Sequence, residues 1–477
     1  MTHLCSMRLP AVRALPFAVL AALSAFALGA CAKGATGGNH GDSGVDIPGD
    51  GKDGGSKPGG KRDSGTPPIG TPDAAKSMDA SAGGDASDML DDGSMADVVV
   101  HDDAAIVASM DASTCATTGS CDFAYTPTNF DPSKLDPSAA DAITTLSCAV
   151  TFDSSGAAPT FPVCGAGAKP TVTIEMLGGD EVAIVALRDL VIPAGGSLKL
   201  TGARPVILAV FGNATIGGTV DASANKATPG AGGSVACTVG TGPNGNDSDT
   251  DNLTAGSGGG GGAFGTAGGG GGAGTGNCCA GVVGGMVEGD AMLDPLRGGC
   301  SGGRGGLGNT ATASALGGAG GGAVQISASG MLIIAGRITA AGGGGTNGAG
   351  ESDGGGGGGS GGAIVLEGND VNVAAGASLT ANGGGGAGGN PRLNTNGDDG
   401  ANGGTTASPA SGGSGDNSSG DGGAGAAGTV GAQVGADASG LDGRGGGGGG
   451  GGAGRIRITA DGTCTQAGTA SPAASGC

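Results

Sequence analysis

Residues Gly361 to Gly386 read GGAIVLEGNDVNVAAGASLTANGGGG, and this stretch decides how the rest of the chain is read. Apolar side chains alternate with small or polar ones at Ile364 and Leu366, at Val371 and Val373, and at Leu379 and Ala381, which predicts three short strands of period two. The breaks at Gly368-Asn369-Asp370 and Ala375-Gly376 carry residues suited to turns. About twenty residues then complete one circuit of chain. Six or so inward apolar residues stabilise such a circuit by roughly 1.5–3 kcal/mol each, whereas ordering each backbone residue costs about 1–2 kcal/mol. A single circuit therefore needs copies of itself to stack on.

Copies occur at Ala183 (AIVALRDLVIPAGGSLKLTG), Pro205 (PVILAVFGNATIGGTVDASA) and Ala323 (AVQISASGMLIIAGRITAAG), with a partial one at Ala453 (AGRIRITA). Leu208 to Ile326 and Ile216 to Ile334 share an offset of 118 residues, and Ala323 to Ala363 and Ile326 to Leu366 share one of 40. The expectation is an all-β chain: a parallel β-helix, or β-solenoid, of about five coils, with Ile456 and Ile458 inward and Arg455 and Arg457 outward in the last. Glycine-rich insertions separate the coils. Runs such as Gly443 to Gly452 have almost no side chains to bury, so they either stay flexible or pack backbone to backbone as polyproline-II-like strands.

In chain order, residues 1–30 read as a signal peptide with Arg8 and Arg13 ahead of an apolar run too short to span a membrane. Leu28-Gly29-Ala30-Cys31 resembles the lipobox of bacterial lipoproteins, which implies lipidation of Cys31 and, with Ala32 and Lys33 behind it, anchoring in the outer membrane. Residues 31–112 form an acidic stalk without periodicity, expected to be disordered. Residues 113–180 hold Cys115, Cys121, Cys148 and Cys164 with most of the aromatic residues, and are expected to cap the first coil's open edge. Residues 181–224 are the first two coils, 225–322 a cysteine-containing glycine-rich insertion, 323–382 coils three and four, 383–452 a second large insertion, and 453–477 the last strand with a cysteine-bearing cap.

Setting aside Cys5 and Cys31, ten cysteines remain, an even number that suits disulfides in an oxidising compartment. Local pairing predicts Cys115 with Cys121, Cys148 with Cys164 and Cys464 with Cys477. Cys237, Cys278, Cys279 and Cys300 are left to staple the first insertion with two bridges, a four-cysteine zinc site being the alternative.

The order of these elements, from lipobox and Asp-rich stalk through PVILAVFGNATIGGTVDASA and GGAIVLEG to GGGGGGAGRIRITA, resembles a group of glycine-rich surface lipoproteins from myxobacteria and related deltaproteobacteria. That likeness covers about Cys115 to Cys477 and implies a secreted, surface-associated protein, with no catalytic residues to carry over. The glycine-rich mycobacterial surface proteins are similar in composition alone.

The three histidines, His3, His40 and His101, fall in the signal and stalk, which removes Ser-His and Cys-His catalysis and histidine metal sites from the folded part. Gly41-Asp42-Ser43-Gly44 matches part of a protease nucleophile motif only by chance. β-Helices resemble the scaffold of pectate lyases and polygalacturonases, but the coil-borne acids Asp189, Asp221, Glu367 and Asp370 do not recur at equivalent positions. Asp247, Asp249 and Asp251 alternate as oxygen ligands for calcium do, and Asn394, Asn396, Asp398 and Asp399 form a looser group. Both fail the helix-flanked loop pattern. Apart from calcium no cofactor is expected. A net charge of −21 makes nucleic acid and anionic lipid poor partners. The reading is a non-enzymatic outer-membrane lipoprotein, structural or adhesive, at the cell surface or on the periplasmic face, with extracellular polysaccharide or other surface proteins as partners. A calcium-dependent or polysaccharide-binding module and a polysaccharide lyase or hydrolase are the alternatives.

Overall fold

Alternating and continuous apolar runs become sixteen strands in the computed structural model, which describes residues 123–139, 142–235, 237–249, 253–276, 279–309, 314–392, 396–440 and 443–477. The signal peptide, Cys31, the stalk, Cys115, Cys121, Cys278, Asp251 and Asn394 lie outside the described residues. In chain order the strands are β1 (Thr144–Thr145), β2 (Ala149–Asp153), β3 (Thr171–Leu177), β4 (Asp180–Leu187), β5 (Leu190–Ile192), β6 (Ser197–Thr201), β7 (Val206–Val210), β8 (Ala214–Ile216), β9 (Thr219–Asp221), β10 (Ala323–Ile334), β11 (Arg337–Thr339), β12 (Ala363–Val373), β13 (Ser378–Thr380), β14 (Arg455–Ala460), β15 (Cys464–Gln466) and β16 (Thr469–Ser471). Among the described residues the only helical turns are two of 3-10 type, at Pro132–Lys134 and Pro137–Ala139.

These strands form two sheets. The first has ten strands, running β1-β5-β8-β10-β7-β4-β3 with β12, β14 and β15 added beyond β10; the second has six, in the order β16-β13-β11-β9-β6-β2. The offsets in the sequence reappear as parallel register: Ile326 faces Leu208 on one side and Leu366 on the other, and Leu366 faces Ile458. Val185, opposite Leu208, begins that row. In the smaller sheet Leu198, Val220, Ile338 and Leu379 form a matching row. Both rows are fully buried in one core between the sheets. A second apolar cluster covers the larger sheet's outer face, where Val182, Ile184, Ile207, Ala209 and Val365 pack with Phe130, Phe264 and Leu296. Burial on both faces explains why β4 and β7 read as unbroken apolar runs instead of alternating.

The five-coil solenoid expected from the repeats is not the architecture found. The larger sheet is mixed, because β3 runs antiparallel to β4 across a two-residue turn in which Gly178 and Gly179 take φ of 57° and 99°. β10 is one twelve-residue strand that pairs with β7 along its first half and β8 along its second, so the sheet curls instead of dividing into coil sides. β12 likewise fuses two of the expected strands. Gly368-Asn369-Asp370 absorbs a register shift against β10 and does not turn the chain. The physical reason is that a repeat specifies which residues pair, while the path between pairs depends on whether a polar tripeptide turns or bulges.

The glycine-rich stretches between strands are ordered. Gly354 to Gly362 is buried and follows a strict three-residue rule. Gly354, Gly357 and Ser360 donate their N–H groups to the carbonyls of Gly306, Gly303 and Cys300; Gly355, Gly358 and Gly361 donate to Gly446, Gly449 and Gly452; Gly356, Gly359 and Gly362 donate to Thr346, Gly343 and Ala340, all at 2.7–3.1 Å. Its own carbonyls accept from three further segments, through Gly259 and Gly262, through Gly318 and Gly321, and through Gly384 and Ala387. One strand thus has six neighbours at a period of three, the geometry of packed polyproline-II helices. Of the two options open for such runs, the ordered one is realised. Only glycine fits: a Cβ on Gly354, Gly357 or Gly358 would strike the carbonyl oxygen of Ser257, Gly260 or Gly384.

The chain ends do two different things. Residues 144–153 flank the first edge of the sheets, with β1 on β5 and β2 on β6, but residues 123–139 lie across the larger sheet's outer face and reach β12. At the far edge Ile458 N donates to Ser475 O and Ser475 N to Ile456 O, so the tail covers β14. The disulfide Cys464–Cys477 closes that cover. Among the described residues no helix is long and apolar enough to cross a membrane.

Candidate functional site

Alternation along β10 and β12 puts Ile326 and Leu366 into the core, which sends Gln325, Ser327 and Glu367 to the opposite face. An exposed trio would be unremarked. Here the segment holding Phe123 to Phe130 covers it, and Glu367 is only 2 % exposed. Thr128 donates to the carboxylate from Oγ1 at 2.6 Å and from N at 3.2 Å, Ser327 Oγ donates at 2.8 Å and Gln325 Nε2 at 3.0 Å. Arg457 stands 3.8 Å away as an ion pair. Burial pushes the Glu367 carboxyl above its usual range, and the donors and Arg457 only partly counter it. Tyr125 OH donates to Ala328 O at 3.0 Å, and burial with the nearby Glu367 carboxyl pushes its phenol well up.

The same segment positions a neighbouring loop. Asn129 Nδ2 donates to Gln325 Oε1 and to Leu293 O, each at 2.9 Å, and its Oδ1 accepts from Leu296 N at 2.9 Å. Phe123 meets Tyr125, Phe130 and Phe211 edge to face at 5.4–5.7 Å. Every polar group of the cluster is spoken for. Its chemistry is that of a clasp: a carboxylate saturated by donors and sealed from water has neither a free lone pair nor access for a substrate.

A second carboxylate organises the glycine-rich body. Glu288 accepts from Thr238 N and Oγ1, Val239 N and Gly240 N, and lies 3.8 Å from Cys300 Sγ. Burial works against its charge, but those donors outweigh it and hold the carboxyl below its usual range. Cys237, Glu288 and Cys300 are close enough to share a metal ion, yet the two sulfurs are joined as a disulfide and so are committed to each other.

Of the predicted bridges, Cys148–Cys164 and Cys464–Cys477 are present, and Cys237–Cys300 staples the first glycine-rich stretch. Cys279 is disulfide-bonded as well. Of the calcium candidates, those that are described are engaged elsewhere. Both oxygens of Asp247 face the Arg304 guanidinium at 2.8 and 3.1 Å, and this contact holds its carboxyl low. Asp249 contributes its main-chain carbonyl to Thr254. Asp399 pairs with Lys226 at 3.3 Å and accepts from Asn347 N. The acids expected on the coils are separate too: Asp189, just ahead of β5, accepts from Asn213 N, Asp221 pairs with Lys199 at 2.6 Å, and Asp370 accepts from Thr463, with no partner in common. Arg455 and Arg457 do point outward, Arg455 lying 5.7 Å from the Phe264 ring centre.

Thr128, Asn129, Gln325 and Ser327 were missed by sequence reasoning. The available signal was Gln325 and Ser327 alternating with Val324 and Ile326 in AVQIS, two polar residues on a face where the neighbouring β7 carries Ile207 and Ala209. Compared with protein-family models, curated proteins and solved structures, the chain matches none.

Proposed function

We propose that this chain is a non-enzymatic cell-envelope lipoprotein, acylated at Cys31, whose folded part is a rigid body with a structural or adhesive role at the bacterial surface. The observation that supports this reading is the glycine-rich half. A run such as Gly354 to Gly362 surrenders every backbone donor to a neighbour, and its one side chain, Ser360, is buried and bonded to the Cys300 backbone. Glycine loses more conformational freedom on ordering than any other residue, so selection for so much of it fits a need for thinness and stiffness more than for catalysis. The edge covered by the Cys464–Cys477 tail serves a body exposed to many copies of itself, since an open strand edge invites aggregation.

The test is trypsin shaving of intact cells beside lysed controls. Lys52, Lys57, Lys61, Arg62 and Lys76 offer cleavage sites ahead of the packed body. Release of a large disulfide-bonded fragment from intact cells is the expected result. Protection until lysis would put the body in the periplasm and turn the reading into an envelope scaffold. Mass spectrometry of the mature N-terminus checks the anchor: an unmodified residue other than Cys31 there would remove the lipoprotein assignment.

A further inference from the structure

The tip of the β3–β4 hairpin, the turn before β7 and the loop held by Asn129 enclose a cleft of about 270 Å³. Two acids and two arginines line it. Arg204 donates from Nε to Glu181 Oε2 at 2.7 Å and from Nη1 to Ser154 O and Gly156 O, so it is fully used. Arg297 is not. Its Nε forms an ion pair with Asp180 Oδ2 at 2.9 Å, and both of those buried atoms lack a hydrogen bond of good geometry. Among the described residues its two terminal nitrogens have no hydrogen-bond partner, and neither do Asp180 Oδ1 and Glu181 Oε1. Pro205 and Leu296 supply an apolar wall.

We propose that this cleft binds an amino-acid-sized zwitterion, its carboxylate taken by the Arg297 fork and its ammonium by Asp180 and Glu181. A guanidinium with two free parallel donors is the shape that a carboxylate satisfies in bidentate fashion. A phosphate or sulfate suits the site less, because a second negative charge would face two carboxylates. A simple cation would leave the arginine fork unfilled. The volume is enough for a single amino acid. The arginine is held in place independently of any ligand: Asn129 fixes the backbone of Leu293 and Leu296 from the covering segment, and a Cβ on Gly178 would strike Pro295, so hairpin and loop are in tight contact. This proposal goes beyond the envelope role and does not depend on which membrane face carries the protein.

Saturation-transfer NMR on the full-length protein tests it with three probes: L-leucine, N-acetyl-leucine and leucinamide. Leucine, which carries both charges and an apolar side chain for Leu296, is expected to bind at millimolar concentration. N-acetyl-leucine should bind more weakly and leucinamide most weakly. Arg297→Gln should weaken leucine about tenfold, an amount equal to about 1.4 kcal/mol, without weakening leucinamide, because the variant leaves Asp180 unpaired for an ammonium. Arg297→Lys keeps the charge opposite Asp180 but not the fork, and should weaken leucine in the same direction; it decides the matter if the Gln variant does not fold. Absence of leucine binding, or equal binding by the wild type and the Lys variant, would overturn the proposal.

Discussion

The two halves of this molecule meet one requirement by opposite means. Buried N–H and C=O groups need partners everywhere, since an orphan costs about 1–3 kcal/mol. In the sheets, side chains drive the burial and the ladders follow: Leu208, Ile326, Leu366 and Ile458 form a row whose removal from water stabilises the fold, and the strands lie in register because the row does. In the glycine-rich body there is almost nothing to remove from water. Backbone packs on backbone, and the absence of a Cβ at Gly357 is itself the fit. The sheets should therefore be damaged by taking atoms away, and the glycine body by adding them.

The largest effect is expected from the bridge that compensates the glycine body for its entropy. Cys237 and Cys300 are 63 residues apart, and a loop of that length contributes about 4 kcal/mol through the unfolded state. Cys148 and Cys164, beside the sheets, are 16 apart and should contribute about 3 kcal/mol. Urea unfolding of Cys237→Ser/Cys300→Ser and Cys148→Ser/Cys164→Ser variants measures both losses. An equal or larger loss at Cys148–Cys164 would mean that the glycine body holds itself together without its staple.

Next comes the direct contrast. Leu366→Ala empties part of the core row and should cost about 3 kcal/mol. Gly357→Ala adds one methyl against the Gly260 carbonyl, with only backbone around it to yield, and should cost about the same. Gly431→Ala is the control, because a Cβ there meets nothing within 4 Å, and it should change stability by less than about 0.5 kcal/mol. Thermal melts of the three variants sharpen the comparison. A harmless Gly357→Ala would show that the glycine packing is looser than its hydrogen bonds suggest.

That contrast also explains what the sequence disclosed. Strand pairing was legible because it is written in side chains: the offsets linking Leu208 to Ile326 and Ile326 to Leu366 are the observed registers. Closure into a solenoid was inferred from the same repeats and is wrong, because nothing in Gly368-Asn369-Asp370 tells a bulge from a turn. The glycine body was legible only as an alternative between flexible and packed. Its specificity lies in a three-residue period of hydrogen bonding, and a run of identical residues carries no phase. The clasp at Glu367 was half visible. Glu367 stood out as an acid on a strand, but Thr128, which donates to it, and Asn129, which donates to the adjacent Gln325, come from a segment whose path over the sheet no local pattern encodes.

Two buried carboxylates, one in each half, give the finest test. Burial is the main cause that raises the Glu367 carboxyl from an ordinary value of 4.5, and likewise the Asp353 carboxyl from 3.8. In both cases the folded state holds the proton more tightly than the unfolded chain, so the stabilising contribution is complete below the ordinary value and is lost as pH rises through the raised one. Asp247 and Glu288, held low, run the other way and lose their contribution as pH falls. The difference between wild type and a single neutral variant isolates each group. At Glu367 the hydroxyls of Thr128 and Ser327 can rotate to accept from a protonated carboxyl. At Asp353 the partners are the N–H groups of Gly308 and Gly350, which are fixed donors with no such freedom. As pH rises above the ordinary glutamate value, wild type should therefore lose stability relative to Glu367→Gln, and the corresponding difference between wild type and Asp353→Asn should change by less. If Asp353→Asn removes the larger share of the pH dependence, the glycine body adapts as readily as the sheets do, and the distinction between a packing that repacks and one that is fixed by its backbone does not hold.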